Sequence, residues 1–208
     1  MEPRHPRGMP CRHLATAYPS CLDQAVDVRL LQDAPTLVGG LVRLEPLGPE
    51  HLAALWPLFD GPELAGDSPL AIFARERVTA GVARARTRAD RADWAIVRVA
   101  DGQPVGEVVL FELHEEHEAM TFRIALVGPE VFDRGYGTDA TRLVRDFAFG
   151  PLGLRRLSLD VDAANERARR VYRRLGFVEE GRRREARLVD GEWHDVIDMA
   201  LLSSDPRP

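Results

Sequence analysis

The sequence predicts a mixed α/β (α+β) domain on a mostly antiparallel central sheet, with about six to seven strands and about four helices on its faces. Three observations predict it. The periodic segments run strand, two helices, three strands, helix, strand, helix, two strands. Asp101-Gly102 and Asp190-Gly191 each sit between strand-like runs and signal hairpins. Hydrophobic residues make up 45% of the chain and charged residues 29%, a balance that excludes disorder over most of the length.

The elements follow in order. Leu41-Val42-Arg43-Leu44-Glu45 alternates as a first strand. Gly48-Pro49-Glu50 opens a helix with Leu52, Leu55, Trp56 and Phe59 at helical spacing, proline taking a favoured first-turn place. After a break over Gly61–Pro69, Ala71–Arg88 reads as a second helix. Trp94–Val99, Val105–Leu113 and Met120–Val127 read as three strands, with His114–Glu118 as the turn before the last. Thr138–Phe149 carries Ala140, Leu143, Val144 and Phe147 along one helical stripe. Leu157–Val161 is a strand, and Glu166–Leu175 a helix stopped by Gly176. Glu185–Val189 and His194–Leu201 close the domain as a hairpin.

Residues 1–36 hold Pro3, Pro6, Pro10, Pro19 and Pro35 with little periodic pattern, and are expected as a poorly ordered extension in which only Cys21–Gln32 has helical character. The folded domain is expected over residues 37–203, followed by a tail at 204–208. Cys11 and Cys21 lie in the extension with His5 and His13 nearby, but no CxxC pair exists, so no metal site is expected. No apolar run reaches the roughly 18–20 residues that span a bilayer. The opening MEPRHPRGMPCRH has no apolar core behind its charges and is not read as a secretory signal, which makes the cytoplasm the expected location.

Charge narrows the chemistry further. All 28 basic side chains are arginine, set against 33 acids for a net charge of −5. The absence of lysine excludes a Schiff-base lysine and a phosphate-loop lysine. Residues 155–187 gather Arg155, Arg156, Arg167, Arg169, Arg170, Arg173, Arg174, Arg182, Arg183, Arg184 and Arg187, so this region is locally positive while the rest of the chain is acidic. Such asymmetry suits an anionic ligand at one place, or simply a solvated helix face.

The most informative segment is Gly128–Arg142, GPEVFDRGYGTDATR, where a strand ends, a loop carries Gly135 and Gly137, and a helix begins at once. Glycines let backbone approach a ligand closely, and the amides at a helix start favour phosphate oxygens. The Walker pattern fails for want of lysine, and the dinucleotide fingerprint for want of a third glycine and of a βαβ start. Downstream, Leu159–Phe177 reads LDVDAANERARRVYRRLGF, a strand, Asn165, and a helix carrying Tyr172 before Gly176-Phe177.

Together these segments resemble the GNAT superfamily of acyl-CoA-dependent N-acyltransferases, and within it the RimJ/RimL-like branch of ribosomal-protein N-terminal acetyltransferases. Asp133-Arg134-Gly135-Tyr136-Gly137-Thr138-Asp139-Ala140 is similar to the branch's phosphate turn, and Asp190–Asp195 followed by Met199 resembles its closing hairpin. The similarity spans about residues 38–202. It implies that amides from Phe132 through Arg134, Gly135, Tyr136 and Gly137 to Thr138 hold the CoA pyrophosphate, with Arg134 and Arg142 adding charge. It implies further that the strand edge at Ile124, Ala125, Leu126 and Val127 pairs with the pantetheine arm, that Asn165 bonds that arm, and that Tyr172 protonates the leaving thiolate.

Departures from the pattern matter too. Phe132 stands where the superfamily often has Gln or Arg, which costs little if amides do the binding. Ala168 replaces a serine found in some relatives, which moves the acid role to Tyr172; a tyrosine on an apolar helix face is otherwise read as core. Glu107, Glu112, Asp160 and Asp162 are all candidates for the base, and no spacing separates them. His114 and His117 form HEEH, not the zinc-binding HExxH, and belong to an exposed turn. Trp56 and Phe59 fit an acceptor cleft or the core equally, and Glu192 and Asp195 a cationic acceptor or solvent.

The expected activity is direct transfer of acetyl from acetyl-CoA, as co-substrate and without metal, to a primary amine on a peptide or protein N-terminus or a small molecule. Another acyl-CoA such as succinyl-CoA, and a non-catalytic CoA sensor, stay open. Overall acidity and few aromatics weigh against nucleic acid. No membrane partner is expected, and a homodimer is left open.

Overall fold

The computed structural model describes residues 26–32, 34–59, 69–189 and 191–206. Most of the extension, with Cys11, Cys21, His5 and His13, lies outside the described residues, as do residues 61–68 of the predicted break, Asp190 of the second hairpin signal, and residues 207–208.

The chain runs α1 (Arg29–Gln32), β1 (Leu37–Val38), β2 (Val42–Pro46), α2 (Leu52–Leu55), α3 (Pro69–Ala85), β3 (Ala92–Arg98), β4 (Pro104–His114), β5 (Ala119–Leu126), α4 (Tyr136–Phe149), β6 (Arg156–Asp162), α5 (Glu166–Arg174), β7 (Val178–Val189) and β8 (Glu192–Leu202). One eight-stranded sheet has the order β1-β2-β3-β4-β5-β6-β8-β7. Every neighbouring pair is antiparallel except β5 and β6. The strand beyond the predicted set is β1, whose length is too short for alternation to reveal it.

That parallel pair positions the site. β5 and β6 are in register only at Ala119↔Arg156, Met120↔Leu157 and Thr121↔Ser158. Beyond Thr121, β5 continues on β4 alone, while β6 continues on β8 alone. Two half-sheets joined at one end therefore open like a wedge at the other, leaving one edge of Phe122–Leu126 without a strand partner.

Helices cover both faces. On one, α4 and α5 pack onto a cluster that includes Trp94, Phe122, Phe147, Leu157 and Tyr172, with Trp94 and Phe147 edge to face at 5.6 Å. On the other, α2 and α3 pack Leu52, Leu55 and Val82 against Ala95 and Val97. Cover on both sides explains why β3 is buried at almost every position and carries the unbroken apolar run Trp94–Val97.

Three differences from the sequence reading have physical causes. The helix opened by Pro49 is one α-turn, Leu52–Leu55, flanked by 3-10 turns; the second of these, Trp56–Leu58, contains Pro57, which has no N–H to continue the ladder. β7 begins at Val178, not Glu185, and is exposed along its whole length; an uncovered edge strand has no reason to alternate apolar and polar residues. The expected boundary at Leu37 falls inside the packing, because Leu31 is 1% exposed in the main core and the Trp94 indole donates to the Pro35 carbonyl at 2.9 Å.

Candidate active site

The wedge holds a cleft of about 680 Å³, walled by β5, the 131–138 turn, the end of β6 and the face of α5. Its phosphate-like end is built from backbone. Gly135 precedes α4 at φ +83, and a Cβ there would also meet Leu41 Cδ1 at 2.9 Å. Asp133 shares the left-handed region at φ 55. From Asp133 to Thr138, no backbone amide donates to an acceptor among the described residues; the first helical bond is from the Asp139 amide to Gly135 O, at 2.9 Å. Asp133, Gly135, Tyr136, Gly137 and Thr138 all line the cleft. A run of free N–H groups at a helix start is an anion site in waiting.

Asp139 fixes that helix in place. Its Oδ2 accepts from the amides of Leu41 at 2.8 Å and Val42 at 3.1 Å, and its Oδ1 pairs with Arg142. A side chain at Gly39 would collide with this carboxylate. Burial works against the charge, yet Arg142 and the two amides outweigh it and hold Asp139 below its ordinary value. Arg142 is thereby committed to Asp139 and is not part of the cleft lining. Arg134 is also turned aside: its Nε donates to Glu130 O at 2.8 Å, and it faces a separate hollow beside Arg98. Arg167 does face the cleft, along with other arginines, and its guanidinium stacks 3.5 Å over the Phe132 ring. Sequence reading counted Arg167 within a cluster without singling it out, although its place two residues after Asn165 puts it in the first turn of α5.

Along the cleft, Ala125 and Leu126 stand in the wall, whereas Val127 donates its amide to Val105 O at 3.0 Å and turns toward the neighbouring hollow. Asn165 caps α5 by accepting from the Ala168 amide at 3.1 Å, which leaves its NH₂ donors for the cleft. Tyr172 lies one face of α5 further on, 8% exposed, with its ring edge to face on Phe122 at 6.4 Å and tilted against Phe177 at 5.8 Å. Gly176 at φ 98 ends that helix, and the Phe177 amide returns to Tyr172 O at 3.0 Å, locking this aromatic group together. The Tyr172 hydroxyl has no hydrogen-bond partner among the described residues. Burial first, then Asp160, pushes its pKa up to about 12, so it keeps its proton at any physiological pH.

The candidate bases separate clearly. Glu112 is exposed and accepts from Thr121 Oγ1 at 2.9 Å. Asp160 lines the cleft but is paired with Arg187 and approached by Arg183 at 3.9 Å. Asp162 accepts from the Ala164 amide at 2.8 Å and pairs with His194 at 2.5 Å, contacts that hold it low. Glu107 alone of the four is buried. Asp195 is bound by Arg182 and the Glu185 amide, Glu192 is exposed, and His114 and His117 are exposed as expected. Among the described residues no cluster of His, Cys, Asp and Glu could hold a metal ion, and no helix is long and apolar enough to cross a membrane.

The comparisons with known proteins agree with this geometry. The family described as "Acetyltransferase (GNAT) domain" matches residues 42–178. Spermidine N(1)-acetyltransferase of Escherichia coli K12 is 34% identical over 113 residues, 54% of this chain and 60% of that protein. The putative ribosomal N-acetyltransferase YdaF of Bacillus subtilis is 36% identical over 76 residues, 36% of this chain and 42% of that protein. A solved GCN5-related N-acetyltransferase from Brucella melitensis superposes with TM-score 0.63 at 25% identity, covering 82% of this chain and 79% of its own. The chain thus spans less than two thirds of the curated relatives it matches. With the splayed sheet, the amide cradle and a family match over most of the folded residues, the chain belongs to the GNAT acetyltransferases.

Proposed function

We propose that the protein transfers an acetyl group from acetyl-CoA to a primary amine by direct attack, with no covalent enzyme intermediate. One observation carries the reading: the free amides of Asp133, Gly135, Tyr136, Gly137 and Thr138 and the unpartnered Tyr172 hydroxyl belong to residues that line the same cleft. The amides and Arg167 hold the pyrophosphate. The unpaired edge of Phe122–Leu126 extends the sheet onto the pantetheine arm, which Asn165 bonds through its NH₂. The thioester then lies toward the closed end of the wedge, beside Tyr172. The neutral amine attacks the acyl carbon, the C–S bond breaks, and Tyr172 gives its proton to the thiolate. A pKa of about 12 suits this step, because a thiolate forming in the same dry environment is also unusually basic.

The acceptor is an amine on a small molecule or a peptide N-terminus; a relative named for spermidine supports the first, and the RimJ/RimL-like motif with a relative named as a putative ribosomal N-acetyltransferase supports the second. Thiol release from acetyl-CoA over a panel of amines and peptides, with mass spectrometry of the products, tests the reading. Tight CoA binding without turnover on any acceptor would leave a CoA sensor instead. Replacing Tyr172→Phe should lower kcat by about 10²–10³ with acetyl-CoA affinity little changed; an unchanged kcat removes the tyrosine from its role.

A further inference from the structure

We propose that two copies of this chain join edge to edge through β7, on a two-fold axis between Gly181 and its own copy, to make one continuous sheet. Among the described residues only β8 pairs with β7, so the outer side of this 12-residue strand keeps its N–H and C=O groups unpaired. Every residue of β7 is exposed. Of the seven exposed large hydrophobics among the described residues, four belong to this hairpin: Val178, Leu188, Val189 and Trp193, the last at 62%. A free edge with apolar residues beside it is a template for another strand.

Charge selects a second copy as the occupant. β7 contains Glu179-Glu180-Gly181-Arg182-Arg183, with acids on one side of a glycine and arginines on the other. A two-fold axis normal to a sheet relates antiparallel neighbours and sets one residue against its own copy. A charged residue at that place would face its like, so within the run 179–187 only Gly181 and Ala186 can stand there. Ala186 lies in the irregularity between Arg183 and Arg187, whereas Gly181, Arg182 and Arg183 run in register with Asp198, Ile197 and Val196. Centred on Gly181, Arg182 and Arg183 of each copy lie against Glu179 and Glu180 of the other.

The two faces agree with this pairing. Arg182 is in register with Ile197 and Glu179 with Met199, both core residues, and Glu179 also bonds Arg169 of α5; both therefore point to the α5 face. Arg183 reaches Asp198 and Glu180 reaches Arg156 around one hollow on the other face. Each face of the joined sheet thus sets arginine against glutamate. These side chains already have partners in their own chain, but a guanidinium has several donors and a carboxylate several acceptor sites, so each can hold a second.

The same axis carries the hairpin end of each copy onto the other. Leu188 lies as far beyond Gly181 as Arg174 lies before it, so it falls level with the last turn of the other copy's α5. Arg187 reaches Asp160 on the open face, which puts Leu188 and its cross-strand partner Trp193 on the α5 face, where the arginine stems of that turn cover them. β7 spans roughly 40 Å at about 3.3 Å per residue. A strip of that length and about 15–20 Å deep buries on the order of 600–800 Å² per partner, the size of a stable interface.

Sedimentation equilibrium of the full chain tests the pairing. Wild type should have twice the mass of one chain at micromolar concentration. A Cβ at Gly181 meets nothing within 4 Å in a single copy, so Gly181→Arg and Gly181→Glu should fold as wild type does. Each sets like charges face to face across the axis, about 5 Å apart at Cβ, and should raise the dimer Kd about tenfold or more. An equimolar mixture of the two should restore the dimer, because opposite charges then meet at the axis. Trp193→Ser, at an exposed site, should raise the Kd about tenfold and carries the test should a Gly181 variant not fold. A monomeric wild type, a Gly181→Arg or Trp193→Ser chain that dimerises as wild type does, or a mixture no tighter than its parts would overturn the inference.

Discussion

Replacing Asp139→Ala should loosen the phosphate turn without touching any ligand. Asp139 sits in the first turn of α4, where an acid normally helps the helix but here also stands behind an anion site. Its carboxylate is spent on the β1–β2 turn instead. The Val42 amide it satisfies is fully buried, and orphaning a buried donor costs about 1–3 kcal/mol. Leu41 is 48% exposed, so water replaces most of that bond at a cost of roughly 0.5–1 kcal/mol. The Arg142 pair, half in solvent on the arginine side, adds at most about 1 kcal/mol. The total of about 1.5–5 kcal/mol lowers Tm by about 3–20 °C for a chain of this size. Asp139→Asn keeps an acceptor oxygen and should lose about half as much. The pH dependence has a definite sign. The folded pKa lies below the unfolded value of 3.8, so the stabilisation is complete above that value and is lost as pH falls through the folded pKa. Melting curves from neutral pH downward should therefore show wild type and Asp139→Asn converging under acid. Leu41 presses on Gly135, so acetyl-CoA affinity should fall with stability. A Tm for Asp139→Ala within about a degree of wild type would refute the reasoning.

Two further outcomes concern the cradle itself. Arg167→Ala should raise the KM for acetyl-CoA about tenfold, the worth of one charge-assisted contact, with a smaller change in kcat, and should reduce the salt sensitivity of binding; steady-state kinetics at two ionic strengths decide it, and an unchanged KM removes Arg167 from the phosphate site. Gly135→Ala should cost about 1–2 kcal/mol for its left-handed backbone and weaken CoA binding further by displacing Leu41. Gly137→Ala, whose Cβ would meet only Leu126 Cδ1 at 3.7 Å, should melt like wild type, so equal losses in both variants would contradict the geometry.

What the sequence revealed and what it hid divide by range. Elements with a buried face announced themselves: α4 through its stripe of Ala140, Val144 and Phe147, and the hairpin strands through alternation and turns. The end of α5 was legible because Gly176 is a local signal with a local cause. β7 was half missed because nothing covers it. Leu31 was assigned to a loose extension because a four-residue helix has no period to read, although its side chain lies in the core. Within the site, the chain-local pieces that the sequence nominates, the phosphate turn, Asn165 and Tyr172, line one cleft. The contacts that select among like residues were not legible. Arg134 and Arg167 look equivalent in sequence, and only the fold turns one onto Glu130 and the other onto Phe132. Glu107 and Glu112 are one strand's acids, but opposite-facing neighbours and a bulge at positive φ for Glu112 leave one buried and the other in solvent.

The arginine cluster shows how such pairing decides function. Taken as a sum, residues 155–187 are positive and suggest a broad anionic landing zone. Pair by pair, about half of the cluster is tied up. Arg156 binds Glu180; Arg169 and Arg173 share Glu166 and Glu179; Arg182 binds Asp195; Arg183 and Arg187 hold Asp198 and Asp160. These forks tie α5 to the start of β7, and the exposed hairpin to β6, where few apolar contacts would otherwise hold an uncovered strand. Of the arginines in this stretch with no ion pair among the described residues, Arg167 and Arg174 line the cleft. A ligand phosphate arriving there meets two guanidinium groups and a row of free amides, not a diffuse field. The consequence is that salt should weaken acetyl-CoA binding only modestly, because only two of the unpaired arginines of the stretch line the cleft and few mobile ions are displaced there.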